Sequence, residues 1–439
     1  MEKLQITSDH IEQSINTINS PSSLFEDLSI YFQELKNNSK ASTDFVGLKD
    51  LDLWNFDLNG NFSHKSGKFF KVSGIDYENI NSGILLQPEI GTLGLICTLI
   101  DGILHFLIQF KGEPGSVDYF QLSPTIQATK SNYSKVHGGA LPPYWEEFSK
   151  LPREQIVYEG ILSEQGTRYF QKYSRNVITY SEDILNEIDN FKWMTLGQLY
   201  EFNNIDNSIN SCLRSVLSLL NPQMNLKQDI LKNENLRYLL NDNKDNYKVE
   251  SKIQDNIKNF YNEKDDLIEF KTDLDDFSIR GLQVNIKGRE VSSWYQPIVV
   301  EEKTFDYYLF RVIINNKVNY LWRITKEPGY SFGFMYGPTI LDTSYLKNKN
   351  DLEKIKKEFA NIAKVSLNKV FTMSEEGGRF WKSIARHHIY DVLLDSKEEL
   401  PQEFSIFDEY ETYKLLESGF LSIEARSLLY FANSLRTAG

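Results

Sequence analysis

The chain has 439 residues, of which 41% are hydrophobic and 13% aromatic, a content that supports two or three folded domains and excludes a largely disordered chain. Its formal net charge of −13 argues against general binding to nucleic acid or to an anionic membrane. Two cysteines, a charged N-terminus without an apolar signal segment, and the lack of any run of about 18 apolar residues predict a soluble cytoplasmic protein.

The first 50 residues are predicted to form an amphipathic helical extension, with a helix over Ser22–Leu35 that packs on the core or on a partner subunit. Strand signals follow in Thr92–Phe110 on either side of Asp101-Gly102, a hairpin turn that indicates antiparallel sheet. The first unit is then expected to close with helix from Ser181 to about Leu220, with Thr195 as an N-cap.

The segment from Gln109 to Gly139 is too polar for a buried core and too regularly interleaved with apolar residues for a free loop. Alternate side chains of an extended strand share one face, which predicts a polar row formed by Gln121, Ser123, Thr125, Gln127 and Thr129. Such a row is costly to bury unless something polar lies in front of it. Because Lys130, Asn132, Tyr133 and His137 come directly afterwards, a small-molecule site is favoured over a solvent-facing strand.

Residues from Asn221 to about Asp276 are rich in Asn, Asp, Lys and Glu and are predicted to form a helix over Leu226–Leu240 and a solvated connector. A second unit follows. It has a hairpin within Tyr307–Ile324, and a closing helical stretch from about Glu409 to Phe431.

The chain repeats itself, because five pairs of motifs return in the same order. Among them, Glu113-Pro114-Gly115 returns at 327–329, and SEQGTRYFQKYSR at 163–175 returns as SEEGGRFWKSIAR at 374–386. We therefore predict an α+β protein with an extension (1–50), a first repeat that holds the site (51–225), a helical linker (226–270) and a second repeat (271–439).

Motifs for nucleotide cofactors and zinc are missing: the sequence has no GxGxxG, GxxxxGK[ST], HExxH or CxxC. The GxSxG pattern around Ser331 lies in a β-rich unit, and its repeat partner has Val117 in place of the serine. A nucleophile needs this pattern on a strand–turn–helix elbow, so we interpret it as an accidental turn.

Four stretches, at 53–75, 87–94, 109–139 and 163–176, resemble the nucleoside-diphosphate-hexose 2,3-dehydratase family, and the resemblance extends over about residues 50–435. It implies tandem Nudix-like domains with mixed or antiparallel sheets and flanking helices, a homodimer, and catalysis without metal or cofactor. The implied reaction removes water across C2 and C3 of dTDP-4-keto-6-deoxyglucose, and a partner 3-ketoreductase would reduce the diketo product. Glu375-Glu376-Gly377 resembles the end of a Nudix box, but the upstream elements that supply metal ligands are missing.

From the resemblance and the residue chemistry together, we expect the first repeat to hold the working site, with Glu113, Tyr133 and His137 as catalytic groups. The second repeat either keeps a nucleotide pocket or serves as scaffold. The expected substrate-binding residues are Trp54, His64, Gln87, Glu89, Gln109, Lys111, Gln121, Ser123, Thr125, Gln127, Lys130, Asn132, Glu164 and Arg175.

Several alternatives stay open at this point. Glu113 also fits a turn residue that binds backbone amides, Trp54 a core residue, and Arg175 a brace within the fold, since it returns as Arg386. For the whole protein, the alternatives are a ketoisomerase that acts on the same 4-keto sugar nucleotide and a non-catalytic protein that binds nucleotide sugars.

Overall fold

The structure of the protein is a computed structural model that describes residues 6–38, 41–129, 141–220, 240, 241, 243, 247, 251–271, 276–286, 292–301, 303–342, 364–393 and 400–435. Among these residues, no helix is long and apolar enough to cross a membrane.

The N-terminal arm consists of α1 (Ser8–Ile15), α2 (Phe25–Asn38) and β1 (Ser42–Val46). Helix α2 buries Phe32, whose ring lies 5.9 Å from that of Phe110 and 5.6 Å from that of Phe202. The arm therefore packs on the core of the first unit of the same chain, as one of the two expected arrangements requires. It is not purely helical, because β1 continues as an edge strand of a sheet in the second unit.

Two sheets build the first unit. The smaller one contains β2 (Trp54–Phe56), β3 (Phe62–His64), β4 (Lys71–Tyr77) and β5 (Ile80–Leu86). The larger one has seven strands, β6 (Gly91–Ile100), β7 (Ile103–Gly112), β8 (Phe120–Ser123), β9 (Ile126–Ala128), β10 (Ile156–Ser163), β11 (Tyr173–Tyr180) and β12 (Phe191–Met194).

The predicted hairpin joins β6 to β7 through Asp101 and Gly102, whose φ angles of +50° and +80° suit the right-handed twist of the pair. The larger sheet is mixed, because β11 runs parallel to β6 while the other pairs are antiparallel.

Three helices flank this sheet: α3 (Trp145–Lys150), α4 (Leu196–Phe202) and α5 (Ser211–Leu217). Thr195 caps α4 as predicted, since its hydroxyl accepts a hydrogen bond from the amide of Gln198 at 3.2 Å. The expected helix from Ser181 onward is wrong before Leu196. There the aromatic stretch Phe191–Met194 forms β12 instead and pairs with β7.

The expected helical linker at 226–270 is wrong over its described second half. There β13 (Ser251–Gln254) pairs with β4 of the first unit, whereas β14 (Tyr261–Asn262) and β15 (Leu267–Lys271) join a sheet of the second unit. Ile268 and Phe270 alternate with polar residues and are fully buried, a period of two that the charged composition had obscured. The helix predicted over Leu226–Leu240 lies outside the described residues except at Leu240, which is helical.

The second unit repeats the order of the first. Its elements are β16 (Asp276–Asn285), β17 (Ser293–Glu301), β18 (Thr304–Ile314), β19 (Lys317–Lys326), β20 (Phe334–Gly337), β21 (Ile340–Asp342), β22 (Lys364–Ser374), β23 (Phe380–Trp381), β24 (Ile384–Leu393), β25 (Phe404–Asp408), α6 (Glu409–Glu417) and α7 (Ile423–Ser434).

Strand pairing confirms the duplication. The hairpin β18–β19 turns at Asn315 and Asn316 as β6–β7 does at its own turn, and β24 runs parallel to β18 as β11 does to β6. The predicted mixed α+β fold with tandem repeats is therefore confirmed. The closing helical stretch is divided where Gly419, at φ +75°, follows the end of α6.

One large hydrophobic core is shared by both units, because a single cluster contains Phe106 and Leu199 of the first unit together with Trp322 and Leu428 of the second. Helices α5 and α7, one from each unit, pack against each other and are buried over most of their length. The repeats are thus halves of one body, and each can supply groups to the other.

Candidate active site

Glu113 lies in the turn that follows β7 and is 1% exposed. The turn is held by a hydrogen bond from the amide of Glu113 to the carbonyl of Tyr119 at 2.8 Å and by another from the amide of Ser116 to the carbonyl of Glu113 at 3.2 Å. Because Pro114 has a fixed φ, the carboxyl group is presented from a rigid backbone.

Three groups surround the Glu113 carboxylate. Gln127 Nε2 donates to Oε1 at 2.8 Å, the backbone amide of Gly377 donates to Oε2 at 3.2 Å, and Lys111 Nζ lies 3.7 Å from Oε1. Lys111 is also buried, so this ion pair is shielded from solvent. The structure therefore brings together Lys111, Glu113 and Gln127, all three of which the sequence predicted as site residues.

A second layer of polar side chains supports Gln127. Its Oε1 accepts from Ser123 Oγ at 2.9 Å and from Asn210 Nδ2 at 3.2 Å, while Asn210 Oδ1 caps α5 by accepting from the amide of Leu213. Asn210 was not predicted, although an Asn directly before a helical stretch is a recognisable N-cap signal.

Gln121 is buried and connects the two units. It accepts from Ser116 Oγ at 2.8 Å and donates to Ser374 Oγ at 2.9 Å and to the carbonyl of Asn207 at 3.1 Å. The predicted polar row therefore exists at Gln121, Ser123 and Gln127, but these side chains form hydrogen bonds to one another or to other groups of the protein.

The prediction of one continuous strand through this row is wrong. Pro124, which has no amide hydrogen, separates β8 from β9, and the two short strands pair with different neighbours. Thr125 at this break accepts from the amide of Ile96 at 3.0 Å and donates to the carbonyl of Leu107. Thr339 makes the same two bonds in the second unit, which favours a structural role for Thr125. Its expected contact with substrate stays a prediction.

Trp54 and His64 belong to a different cluster. The ring of Trp54 is buried 5.0 Å from Phe70 and 5.3 Å from His64, and the His64 ring lies 4.5 Å from Phe69. These contacts favour the core interpretation of Trp54.

Four further predicted residues lie on or beside strands of the first unit. Gln87 donates to Glu89 at 3.1 Å, and Glu164 accepts from Ser174 Oγ at 2.5 Å. Gln109 is half-buried on β7. Lys172, which was not predicted, donates to the carbonyl of Glu89, and burial lowers the pKa of its ammonium group.

Arg175 forms an ion pair with Glu159 of the neighbouring strand at 2.5 Å. Its counterpart Arg386 likewise contacts Asp306 of a neighbouring strand, with Nε donating at 2.8 Å. Each arginine contacts a carboxylate on a neighbouring strand, although the strands are not equivalent: β10 for Arg175 and β18 for Arg386. The cross-strand contact favours the structural interpretation of Arg175. The remaining predicted residues, Lys130, Asn132, Tyr133 and His137, lie outside the described residues.

The loop after β22 of the second unit reaches the turn of Glu113. The amide of Gly115 donates to the carbonyl of Gly377 at 2.7 Å, and Tyr169 donates to Glu376 Oε2 at 3.3 Å. Burial, followed by the negative charge of Glu113, raises the pKa of the Glu376 carboxyl group to about 7. In the sequence Glu376 resembles a remnant of a lost Nudix box, and its only further signal is the alignment of the two repeats.

The contact between turn and loop is reciprocal. In the opposite direction, the turn at Glu327 approaches the loop after β10, where the amide of Gly329 donates to the carbonyl of Gly166 at 2.8 Å. Burial, followed by the negative charge of Glu424, raises the pKa of Glu327 to about 8.

A buried arginine from each unit stabilises these contacts between the turn of one unit and the loop of the other. Arg214 donates to Ser427 Oγ at 3.2 Å and to the carbonyl of Ser374 at 3.4 Å. Arg426 donates to Ser215 Oγ at 2.9 Å and to the carbonyl of Ser163 at 2.7 Å. Within the described ranges, no group of three or more His, Cys, Asp or Glu side chains is arranged to hold a metal ion.

Three proteins that carry the name of a 2,3-dehydratase are similar to this chain over most of its length. A protein of Saccharopolyspora spinosa named dTDP-4-dehydro-6-deoxy-alpha-D-glucopyranose 2,3-dehydratase is 28% identical over 438 residues, covering 90% of this chain and 89% of that protein. A protein of the same name from Amycolatopsis orientalis is 28% identical over 454 residues, covering 97% and 94%, and one from Streptomyces violaceoruber is 27% identical over 415 residues, covering 89% and 93%.

Among solved structures, an Ap4A hydrolase of C. elegans matches with a TM-score of 0.20 and 13% identity, covering 30% of this chain and 97% of that one. An ADP compounds hydrolase matches with a TM-score of 0.24 and 12% identity, covering 37% and 87%. At these identities the likeness concerns the fold alone, and TM-scores this low carry no argument about chemistry.

The family model described as NDP-hexose 2,3-dehydratase matches the chain twice, over residues 25–220 and again over residues 235–431. Each match covers most of one unit, and together they span most of the sequence. The chain belongs to the NDP-hexose 2,3-dehydratase family.

Proposed function

We propose that this protein removes water across C2 and C3 of dTDP-4-keto-6-deoxyglucose and yields dTDP-3,4-diketo-2,6-dideoxyglucose in deoxysugar biosynthesis. The observation that carries the proposal is the Lys111–Glu113–Gln127 cluster, because it lies in one unit of a chain whose two units both match the dehydratase family. The relatives that bear the name of this reaction match nearly the whole chain.

The reaction makes three demands on a protein. The C4 ketone acidifies the hydrogen on C3, so a base must accept that proton. A donor or a positive charge must stabilise the C4 oxygen as enolate charge develops, and an acid must protonate the hydroxyl that leaves C2. Each positioned acid or base typically contributes a factor of about 10² to 10⁴ in rate, and stabilisation of the developing charge contributes more.

The described residues supply much of this chemistry. Lys111 carries a positive charge in a buried setting, where it stabilises enolate or diphosphate charge more strongly than in water. Glu113 holds that ammonium group in place, and Gln127 is positioned by Ser123 and Asn210. We propose Gln87, Glu89, Gln109 and Glu164 as further substrate contacts, and Tyr133 and His137 as proton-transfer groups.

The proposal also covers the partner enzyme, the oligomeric state and the cellular location of the protein. Its product, a vicinal diketone, is reactive, and a 3-ketoreductase that reduces it would prevent its loss. We further propose that the protein is a homodimer and acts in the cytoplasm.

The test is incubation of the purified protein with dTDP-4-keto-6-deoxyglucose labelled with oxygen-18 at C2, in the presence of a 3-ketoreductase and its reduced cofactor as a trap. We expect a 2-deoxy sugar nucleotide and release of the label into water. A product that keeps the label at carbon would instead indicate ketoisomerisation. Binding of the substrate without any product would indicate a non-catalytic protein.

A further inference from the structure

The second unit contributes a carboxyl group to the site of the first. Three hydrogen bonds fix the loop that carries Glu376 to the turn of Glu113. Two join backbone groups, Gly115 to Gly377 and Lys382 to Gly115, and in the third the amide of Gly377 donates to the Glu113 carboxylate. The bond from the amide of Lys382 to the carbonyl of Gly115 is 2.6 Å long. Glu376 is therefore held beside the Glu113 cluster by backbone geometry.

The two carboxyl groups differ in accessibility. Glu113 is 1% exposed, and its oxygens already accept from Gln127 and Gly377. Glu376 keeps partial exposure to solvent, although it is surrounded densely enough for burial to be the main cause of its raised pKa. Glu376 is therefore the more exposed residue of this pair, and we infer that it is the one that meets a ligand.

The equivalent contact between the turn of Glu327 and the loop of the first unit has no carboxyl group at the position of Glu376. At the position equivalent to Glu376 the first unit has Gln165, and at the position equivalent to Tyr169 the second unit has Phe380. An amide cannot transfer a proton and a phenyl ring cannot hydrogen-bond to a carboxyl group. The carboxyl pair therefore exists on only one side of a contact that is otherwise symmetric.

We propose that Glu376, supplied by the second unit, is the acid that protonates the hydroxyl group leaving C2 in the site of the first unit. This inference rests on the proposed dehydratase function. Glu113 is a positioning residue in this scheme, because its charge and its bond to Gly377 determine where Glu376 lies and when it holds a proton.

The proton balance of the reaction closes with this assignment. A base removes the C3 proton, and the electron pair of that bond forms the enolate and then the C2=C3 double bond as the C2–O bond breaks. Glu376 gives its proton to the departing oxygen, which leaves as water. The resulting enol loses its C3 hydroxyl proton to the Glu376 carboxylate and gains a proton at C2 from the conjugate acid of the base, so both groups return to their starting states.

The charges around Glu376 agree with a proton donor near neutral pH. Negative charges on Glu113 and Glu164 favour its protonated form, whereas Arg379 and Lys111 oppose it. The titratable groups that interact with it from the surrounding elements are Lys111, Glu113, Glu164, Tyr169, Lys172, Cys212 and Arg379.

The first experiment compares Glu376→Gln with the matched variant Glu327→Gln in the wild-type background. Gln has the shape of protonated Glu but no proton to give, so we expect Glu376→Gln to lower kcat by about 10²- to 10⁴-fold with a thermal midpoint close to wild type. Glu327→Gln should keep kcat within about twofold. If the wild-type protein itself forms no 2-deoxy product, the proposed function fails; if wild type and Glu376→Gln turn over alike, only the assignment of Glu376 fails.

The second experiment separates the two proton transfers. With substrate deuterated at C3, the acid assignment predicts that Glu376→Gln still exchanges deuterium with water while elimination is lost. Loss of both would identify Glu376 as the base at C3 and overturn the assignment.

The pH profile provides a readout that a purely structural role would not change. Because the negative charge of Glu113 raises the pKa of Glu376, Glu113→Gln should move the basic limb of the kcat profile to lower pH. A limb that stays in place, with kcat reduced uniformly, would overturn the coupling between the two carboxyl groups.

Discussion

The turns at Glu113 and Glu327 have matching backbone contacts and very different surroundings. Each is followed by Pro and Gly, and each approaches the glycine-containing loop of the other unit. Around Glu113 the neighbouring positions hold Lys111, Gln121 and Gln127. The equivalent positions around Glu327 hold residues that carry no charge and fewer hydrogen-bonding groups, namely Thr325, Met335 and Leu341.

This difference separates what the fold needs from what the chemistry needs. The turn, the glycines and the buried arginines occur in both halves, because each half must be joined to the other in the same way. A methyl group on Gly115 would come within 2.8 Å of the carbonyl of Gly377, and one on Gly329 within 2.6 Å of the carbonyl of Gly166, so both turns need glycine. Of the polar side chains around Glu113, Gln121 also bonds to Ser374 of the other half, whereas Lys111 and Gln127 bond within the first half and therefore indicate function.

The largest expected effect tests whether the buried arginines Arg214 and Arg426 stabilise the contact between the two halves equally. Arg214→Met leaves the carbonyls of Ile209 and Ser374 without this donor and removes the cation near the buried Glu375. We expect a loss of about 3 to 5 kcal/mol in the free energy of unfolding, measured by urea denaturation. Arg426→Met should cost a similar amount, and a large loss in only one of the two variants would contradict the symmetric joint.

The next effect tests whether chemistry is confined to one half. Glu113→Gln removes the charge that holds Lys111, so turnover should fall at least about tenfold while the thermal midpoint stays near that of wild type. Its matched control, Glu327→Gln, should retain turnover. Equal losses in both variants, measured by release of the 2-deoxy product, would show that the two turns contribute alike.

A smaller effect concerns pH. The pKa of Glu327 in the folded protein, about 8, lies above its ordinary value of 4.5, so the folded state binds the proton more tightly than the unfolded chain. The resulting stabilisation is present in full below pH 4.5 and is lost as the pH rises through about 8. Between pH 5 and pH 9, the free energy of unfolding should fall by on the order of 1 to 3 kcal/mol more for wild type than for Glu327→Gln. Thermal midpoints measured across this range should show the steeper fall for wild type. Parallel curves would mean that Glu327 is ionised at neutral pH.

The smallest effect concerns the cross-strand arginines. Arg175→Ala breaks a partly exposed ion pair and should cost about 0 to 1 kcal/mol, with Arg386→Ala as the matched change in the second unit. KM for the sugar nucleotide should be unchanged in both variants. A rise in KM of more than about tenfold in Arg175→Ala alone would restore the diphosphate-binding interpretation.

Much of the architecture was predictable because the signals are local or repeated. Asp101-Gly102 is a strong local signal for a hairpin turn, Thr195 caps the helix that follows it, and the duplicated motifs predict two similar units. The strands at 251–271 were missed because their charged residues alternate with few apolar ones, and their pairing partners lie far away in the sequence.

The site was predicted in part for the same reason. Lys111, Glu113 and Gln127 lie within one stretch of sequence, so their proximity follows from the course of the chain. Glu376 reaches this cluster only through the packing of one half on the other, and Asn210 only through the packing of α5 on the sheet of its own unit. No local pattern in the sequence records either contact. The role of Thr125 does not follow from its residue type, because its hydroxyl chemistry suits a ligand and a backbone brace equally well.

Strand β1 has a consequence for the way the protein is made. Val46 pairs with Gly281, so the ribosome must add more than two hundred residues before the partner of this strand exists. At translation rates of about 5 to 20 residues per second, the N-terminal arm waits on the order of 10 to 50 seconds with an open strand edge. A chain released before β16 is complete would keep that edge exposed, so the first half made alone should be prone to aggregate although it carries Lys111, Glu113 and Gln127.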